Sequence, residues 1–109
     1  MSVELPEPIA AYLAAENGHD AEAMAHCFAD HAVVRDEGRT IQGPAAIKQW
    51  KEETKKKYNH TVEPLESVQK DGKTVVTSRV AGNFPGSPVT LEFVFGLEGN
   101  KIASLEIRG

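Results

Sequence analysis

Cysteine is almost absent from this chain: Cys27 stands alone, so no intrachain disulfide can form and the fold must rest on packing. No apolar run approaches the roughly 18 to 20 residues that a membrane-crossing helix requires. The start, "MSVELPEPIA", carries neither the basic stretch nor the apolar segment of a secretory leader. A cytoplasmic protein with no membrane partner is the expectation. Positive charge is also in deficit, with 12 Lys and Arg against 16 Asp and Glu and a net charge of −4. No broad basic field exists to draw in phosphate backbones, so nucleic acid is not an expected partner. The four histidines do not fall at metal-ligand spacing, and HExxH and paired cysteines are both missing. Neither a metal nor a cofactor is expected.

The 109 residues suit a single domain, 1–109, long enough to bury one core without staples. Its first half reads as helical and its second as strands. Helices are predicted near 7–18, 21–30 and 44–57, and strands after residue 60. In the first helix Ile9, Tyr12, Leu13 and Glu16 share one stripe at helical spacing. Asn17-Gly18-His19-Asp20 ends it, with Gly18 suited to a left-handed helix terminus and Asp20 to capping the next helix. Met24, Cys27, Phe28 and His31 form the inward stripe predicted for the second helix. "AVVRD" then reads as a short strand broken at Gly38.

Gly43-Pro44 opens the third helix, where proline's missing N–H costs nothing. Ile47, Trp50, Thr54 and Tyr58 line one face of it. Lys51, Glu52, Glu53, Lys55, Lys56 and Lys57 are assigned to a solvated face, with Glu52/Lys56 and Glu53/Lys57 spaced for i,i+4 pairing. From Thr61 the period becomes two. "HTVEPLESVQ", "KTVVTSRVAGNF", "SPVTLEFVFGL" and "KIASLEI" read as a four-strand meander, with turns at Asp71-Gly72, at 84–88 and at Glu98-Gly99-Asn100. Leu91, Phe93, Phe95 and Leu97 share the parity that should face the helices, and Glu92 and Val94 take the other. The fold class that follows is α+β: three N-terminal helices packed on a curved, mainly antiparallel sheet, a cone-shaped half-barrel whose mouth can hold an apolar pocket.

The stretch "FADHAVVRDEG" carries the chemistry. Parity groups Asp36 with Val34 and Ala32, so if Val34 packs inward, Asp36 enters the cone as well. An apolar cavity destabilises a charged carboxylate and makes it a better general base near neutral pH. The competing reading makes Asp36 a turn residue before Glu37-Gly38. Tyr12 faces inward with a hydroxyl that needs a partner and reads as a core tyrosine, and Trp50, Tyr58, Phe28, Leu91, Phe93 and Phe95 are candidates to wall an apolar pocket. Arg79 reads first as half of a surface cross-strand pair. Cys27 reads as a small core hydrophobe rather than a nucleophile.

Three segments, "IAAYLAAENGHDAEAMAHCFADHAVVRDEG", "GPAAIKQWKEETKKKY" and the closing "LEFVFGLEGNKIASLEI", resemble the nuclear-transport-factor-2-like superfamily over nearly the whole chain. The branch they resemble is that of SnoaL-like polyketide cyclases and ketosteroid isomerases. The resemblance implies a cofactor-independent isomerase, cyclase or lyase acting on an apolar carbonyl compound. Asp36 stands where the isomerases keep their proton-shuttling base, and Tyr12 where they keep a tyrosine that stabilises the oxyanion. Where they carry a second, protonated acid this chain has Leu91, with Glu92 one step away on the opposite parity. The resemblance also implies a homodimer formed through the sheet. Because the fold hosts plain modules as well as enzymes, the alternative is a non-catalytic ligand-binding or dimerisation module.

Overall fold

The computed structural model describes residues 4–36 and 38–109, so Glu37 in the predicted turn lies outside the described residues. Its elements are α1 (Glu7–Asn17), α2 (Ala21–Ala25), β1 (Phe28–Asp36), β2 (Arg39–Gln42), α3 (Pro44–Tyr58), β3 (Thr61–Lys70), β4 (Lys73–Ala81), β5 (Val89–Glu98) and β6 (Lys101–Arg108). The three helices pack on one six-stranded sheet of order β2-β1-β6-β5-β4-β3. All neighbouring strands run antiparallel except β1 and β6, which are parallel.

The expected meander is present as β3 to β6. At its first hairpin Asp71 and Gly72 both take positive φ, 52° and 76°, the conformation that a two-residue connection between right-twisted strands demands. The helix stop differs from expectation in one detail. Gly18 stays right-handed at φ −84°, and the left-handed residue is His19 at φ 57°. Asp20 caps α2 as expected, its carboxylate accepting from Ala23 N at 3.0 Å.

The first half of the chain is less helical than its sequence suggests. The second helix was expected to run to residue 30, but it ends at Ala25 and the chain is in strand from Phe28. Ile102 N donates to Cys27 O at 2.8 Å, and β6 then pairs with β1. A ladder to a distant strand has thus overridden a local helical pattern. His31, placed inward by that pattern, is exposed and contacts Glu98 at 3.1 Å. "AVVRD" extends to a nine-residue strand, and Gly38 at φ 77° leads into β2, which the sequence had not indicated.

Strand parity builds the core. Ala32 and Val34 of β1, Val76 and Val80 of β4, Phe93 and Phe95 of β5, and Ile102 and Leu105 of β6 meet Ile9, Tyr12, Ile47 and Trp50 from the helices. Val75 and Val94 face each other across β4 and β5 on the other side of the sheet, outside that cluster.

The loop after β4 is laced to the end of α3. Asn83 N donates to Tyr58 O at 2.7 Å, and Gly82 presses so closely on this corner that an added Cβ would lie 2.8 Å from both Tyr58 O and His60 Cβ. Gly82→Ala should therefore lower stability by about 1–3 kcal/mol through forced displacement of the α3–β3 link. Chemical denaturation measures it, and an unchanged midpoint would show that the link is not held by this approach.

Candidate functional site

A cavity of about 290 Å³ lies between α3 and the sheet. Val80, Leu91, Phe93 and Ile107 form its sheet wall, joined by Phe84 and Val89 from the β4–β5 connection and its exit. Trp50, Lys51, Thr54 and Tyr58 form the helical wall, successive positions on one side of α3. Asp36 and His60 complete the lining.

Asp36 shares the parity of the fully buried Val34, and that alternation carries its side chain to the core side of the sheet. Trp50 Nε1 donates to Asp36 Oδ2 at 3.3 Å. Trp50 is itself fixed by burial, and Thr54 Oγ1 donates to Trp50 O at 2.6 Å one turn further on. A half-buried carboxylate held by an indole N–H at the edge of an apolar cavity can accept a proton from a bound molecule.

Of the six residues expected to wall the pocket, Trp50, Tyr58, Leu91 and Phe93 line the cavity. Phe28 and Phe95 do not. Both pack edge-on against Tyr12 in the core, at ring-centroid distances of 5.9 and 5.4 Å. Tyr12 is likewise absent from the lining: it is fully buried, and its hydroxyl has no hydrogen-bond partner among the described residues. Burial, and then the Glu16 carboxylate one turn on, hold its phenol pKa well above the ordinary value. Edge-on packing between two phenylalanines keeps the ring in the core, and the structure does not bring Tyr12 onto the cavity lining.

Arg79 is exposed and stands 3.9 Å from Glu63, its partner in register across β3 and β4. Burial pushes the Cys27 thiol up, and its Sγ lies 3.5 Å from Ala23 O one helical turn back. Among the described residues no group of three or more His, Cys, Asp or Glu converges as metal ligands. No helix among them is long and apolar enough to cross a membrane.

The feature that sequence reading missed is an ionic cluster behind the cavity. Glu16, on the inward stripe of α1, has no solvent exposure. Lys51 Nζ lies 2.9 Å from its Oε2 and 3.1 Å from its Oε1, Lys55 Nζ lies 3.3 Å from Oε1, and His60 Nε2 lies 2.6 Å from Oε1. Lys55 also donates to His60 O. Lys51 is 3% exposed, far from the solvated position assigned to it, because the buried carboxylate draws its long side chain inward. The available signal was Glu16 itself, an acid in the midst of an apolar stripe, which demands partners.

Desolvation alone would raise the Glu16 pKa, but the His60 and Lys51 contacts outweigh it and hold the carboxyl well below its ordinary 4.5. Burial lowers the Lys55 pKa, partly offset by Glu16.

This geometry defines a class before it defines a family: a small α+β domain with an apolar cavity edged by a carboxylate. The SnoaL-like domain family matches residues 9–105, and the chain belongs to that family. It is 42% identical to protein SMa1630 of Sinorhizobium meliloti, described as a "putative polyketide cyclase", with a TM-score of 0.91 over 95% of each chain. A protein of ketosteroid isomerase-like fold from Catenulispora acidiphila, in complex with trimethylamine, is 22% identical, with a TM-score of 0.85 over 97% of this chain and 87% of its own. An NTF2-like protein from Cytophaga hutchinsonii shares the fold at 12% identity, with a TM-score of 0.78 over 98% of this chain and 90% of its own. No curated protein matches the chain.

Removing the Glu16 charge leaves the buried Lys51 and the partly buried Lys55 uncompensated, so Glu16→Gln should destabilise by about 3–5 kcal/mol. Because the folded pKa of Glu16 is depressed, its contribution is complete above the ordinary 4.5 and is lost as pH falls below that value. Denaturation midpoints measured from pH 7 down to pH 3 should draw closer for wild type and Glu16→Gln once pH falls below 4.5, without meeting. Parallel curves would mean that Glu16 does not carry this acid sensitivity.

Proposed function

We propose that the protein is a cofactor-independent enzyme of the isomerase, cyclase or lyase type, in which Asp36 removes a proton alpha to the carbonyl of an apolar compound. The observation that carries this reading is the Asp36 carboxylate on the lining of an otherwise largely apolar cavity, oriented by Trp50 Nε1. The 42% identity to the Sinorhizobium meliloti protein supports it. Tyr12 is left out of the mechanism because its hydroxyl is not on the lining. In this reading the sheet curves as a cone-shaped half-barrel, and the cavity is its mouth. At about 290 Å³ the cavity stands at the small end of ligand sites and selects a compact substrate.

A second reading has its own observation. Leu91, at the position where the isomerases keep a second acid, lines the cavity as an apolar group and favours binding without chemistry. Proton exchange separates the two. In deuterated water, enolisable apolar ketones should lose their alpha-proton NMR signals in the presence of the protein, and Asp36→Asn should slow that exchange at least ~100-fold. Folding stability should be kept or raised, the mark of a charge retained for function at a thermodynamic cost. Exchange that survives Asp36→Asn, or that never exceeds buffer, hands the site to the binding reading.

The working state we propose is a cytoplasmic homodimer formed through the face of the sheet that carries Val75 and Val94. Val75 and Val94 are paired apolar residues there, flanked by Thr77 and Glu92 in the same strands. Sedimentation at micromolar concentration should give twice the 11.8 kDa chain mass, and Val94→Lys should return it to monomer. A monomeric wild type would remove this assembly.

A further inference from the structure

The indole of Trp50 has one polar atom, Nε1, and that atom donates to Asp36 Oδ2 at 3.3 Å. The separation is at the long end for such a bond, so a small tilt of the ring would carry the N–H off the carboxylate. The plane of the indole therefore decides how well the carboxylate is held. Burial confines the ring, but apolar contact has no direction and does not aim an N–H.

A directional contact comes from Lys51. Its Nζ lies over the Trp50 ring, 4.2 Å from the centroid. An ammonium is attracted to the face of an indole more than to any other side-chain ring, and most where water is excluded, as it is around this buried lysine. Helix geometry alone does not bring the two together, because successive residues diverge by about 100° and neighbours do not face each other. Glu16 of α1 does, by holding the ammonium at 2.9 Å from Oε2 and 3.1 Å from Oε1. Lys55, the other lysine on this carboxylate, stands further off at 3.3 Å, and burial disfavours its charge.

We propose that Lys51 is a positioning residue for Asp36: pinned by Glu16 against the indole, it fixes the ring plane and with it the approach of Nε1–H to the carboxylate. The cation also polarises the indole and makes its N–H a stronger donor. Glu16, Lys51, Trp50 and Asp36 thus form one chain of contacts from the buried ion cluster to the cavity. This role rests on the reading of Asp36 as the cavity's base. Other groups face Asp36 as well: Arg39, its register partner on β2, Glu53 and Lys57 of α3 around an outer groove, and Tyr58 and His60 on the cavity lining. All of them are kept in the variants below, so a change between variants does not come from their replacement.

Trp50 is the only tryptophan in the chain, so its indole N–H gives a single ¹H–¹⁵N NMR signal. In the wild type that signal should move through the same pH range as the Asp36 carboxyl followed by ¹³C NMR. Lys51→Met removes the charge and keeps an unbranched apolar stem, and in it the indole signal should lose most of its response to the Asp36 titration. An undiminished response overturns the role of Lys51, and a wild-type indole that ignores the Asp36 carboxyl overturns the whole chain. In alpha-proton exchange Lys51→Met should lower kcat at least ~10-fold and leave KM within about twofold, the pattern of a misplaced base rather than a lost binding contact. Added to Trp50→Phe, it should cost nothing further. An equal loss in both backgrounds would mean that Lys51 acts on the substrate directly, and overturns positioning. Should Lys51→Met fail to fold, Glu16→Gln/Lys51→Met removes the charge together with its counter-charge and is read in the same way. An indole that follows Asp36 and loses that response without the Lys51 charge, in a protein that exchanges no alpha-proton, upholds the positioning and removes only the enzyme reading.

Discussion

The buried carboxylate of Glu16 is the constraint around which the first and third helices are placed. A carboxylate with no exposure is costly unless it is paired, and here the pairing comes from two turns of α3 and from the residue that leads into β3. Three separate segments must therefore converge within hydrogen-bond distance of one side chain. An apolar residue at the same place would tolerate sliding of α1 over α3. A hydrogen-bonded ion cluster does not, because displacement leaves a desolvated charge without a partner. Asn17, the next residue, continues the clamp: its side chain donates to Val62 O and accepts from Val62 N, both at 2.8 Å. The end of α1 is thereby tied to the first turn of an edge strand as firmly as a strand would be.

That clamp shapes the cavity. Lys51 turns inward to meet Glu16, and so α3 presents a polar shoulder beside Trp50 rather than a uniformly aromatic face. The opposite wall comes from the inward face of β4, β5 and β6, and the residues that reach the cavity there, Val80, Leu91, Phe93 and Ile107, are all apolar. The result is a cavity with one greasy wall and one wall carrying Asp36, Lys51 and His60. Asymmetry of this kind gives a bound molecule an orientation, which a purely apolar pocket of the same volume could not.

What could be read from the sequence follows the range of the interactions responsible. The β3 to β6 meander was legible because alternation and turn residues such as Asp71-Gly72 are local signals. Asp36 was placed by parity with Val34, another local rule that survived the lengthening of its strand. The early end of α2 was not legible. Met24, Cys27, Phe28 and His31 do fit a helical stripe, and only the parallel ladder from β6, more than 70 residues away, draws Phe28 into a strand. Lys51 was misplaced for a related reason. Its neighbours Glu52, Glu53, Lys56 and Lys57 are exposed, and a charged residue among them is assigned to solvent unless a buried acid elsewhere in the chain is asked where its partners are.

Tyr12 shows the limit of carrying a role across by position. Rings on both sides, Phe28 and Phe95, hold this tyrosine in the core. With Tyr12 outside the lining and Leu91 apolar, neither residue offers a donor to an oxyanion in this cavity. Any chemistry at Asp36 then needs its electrophilic partner from elsewhere on the lining. The polar atoms available for that are on the α3 wall and at His60, the part of the cavity that Glu16 organises.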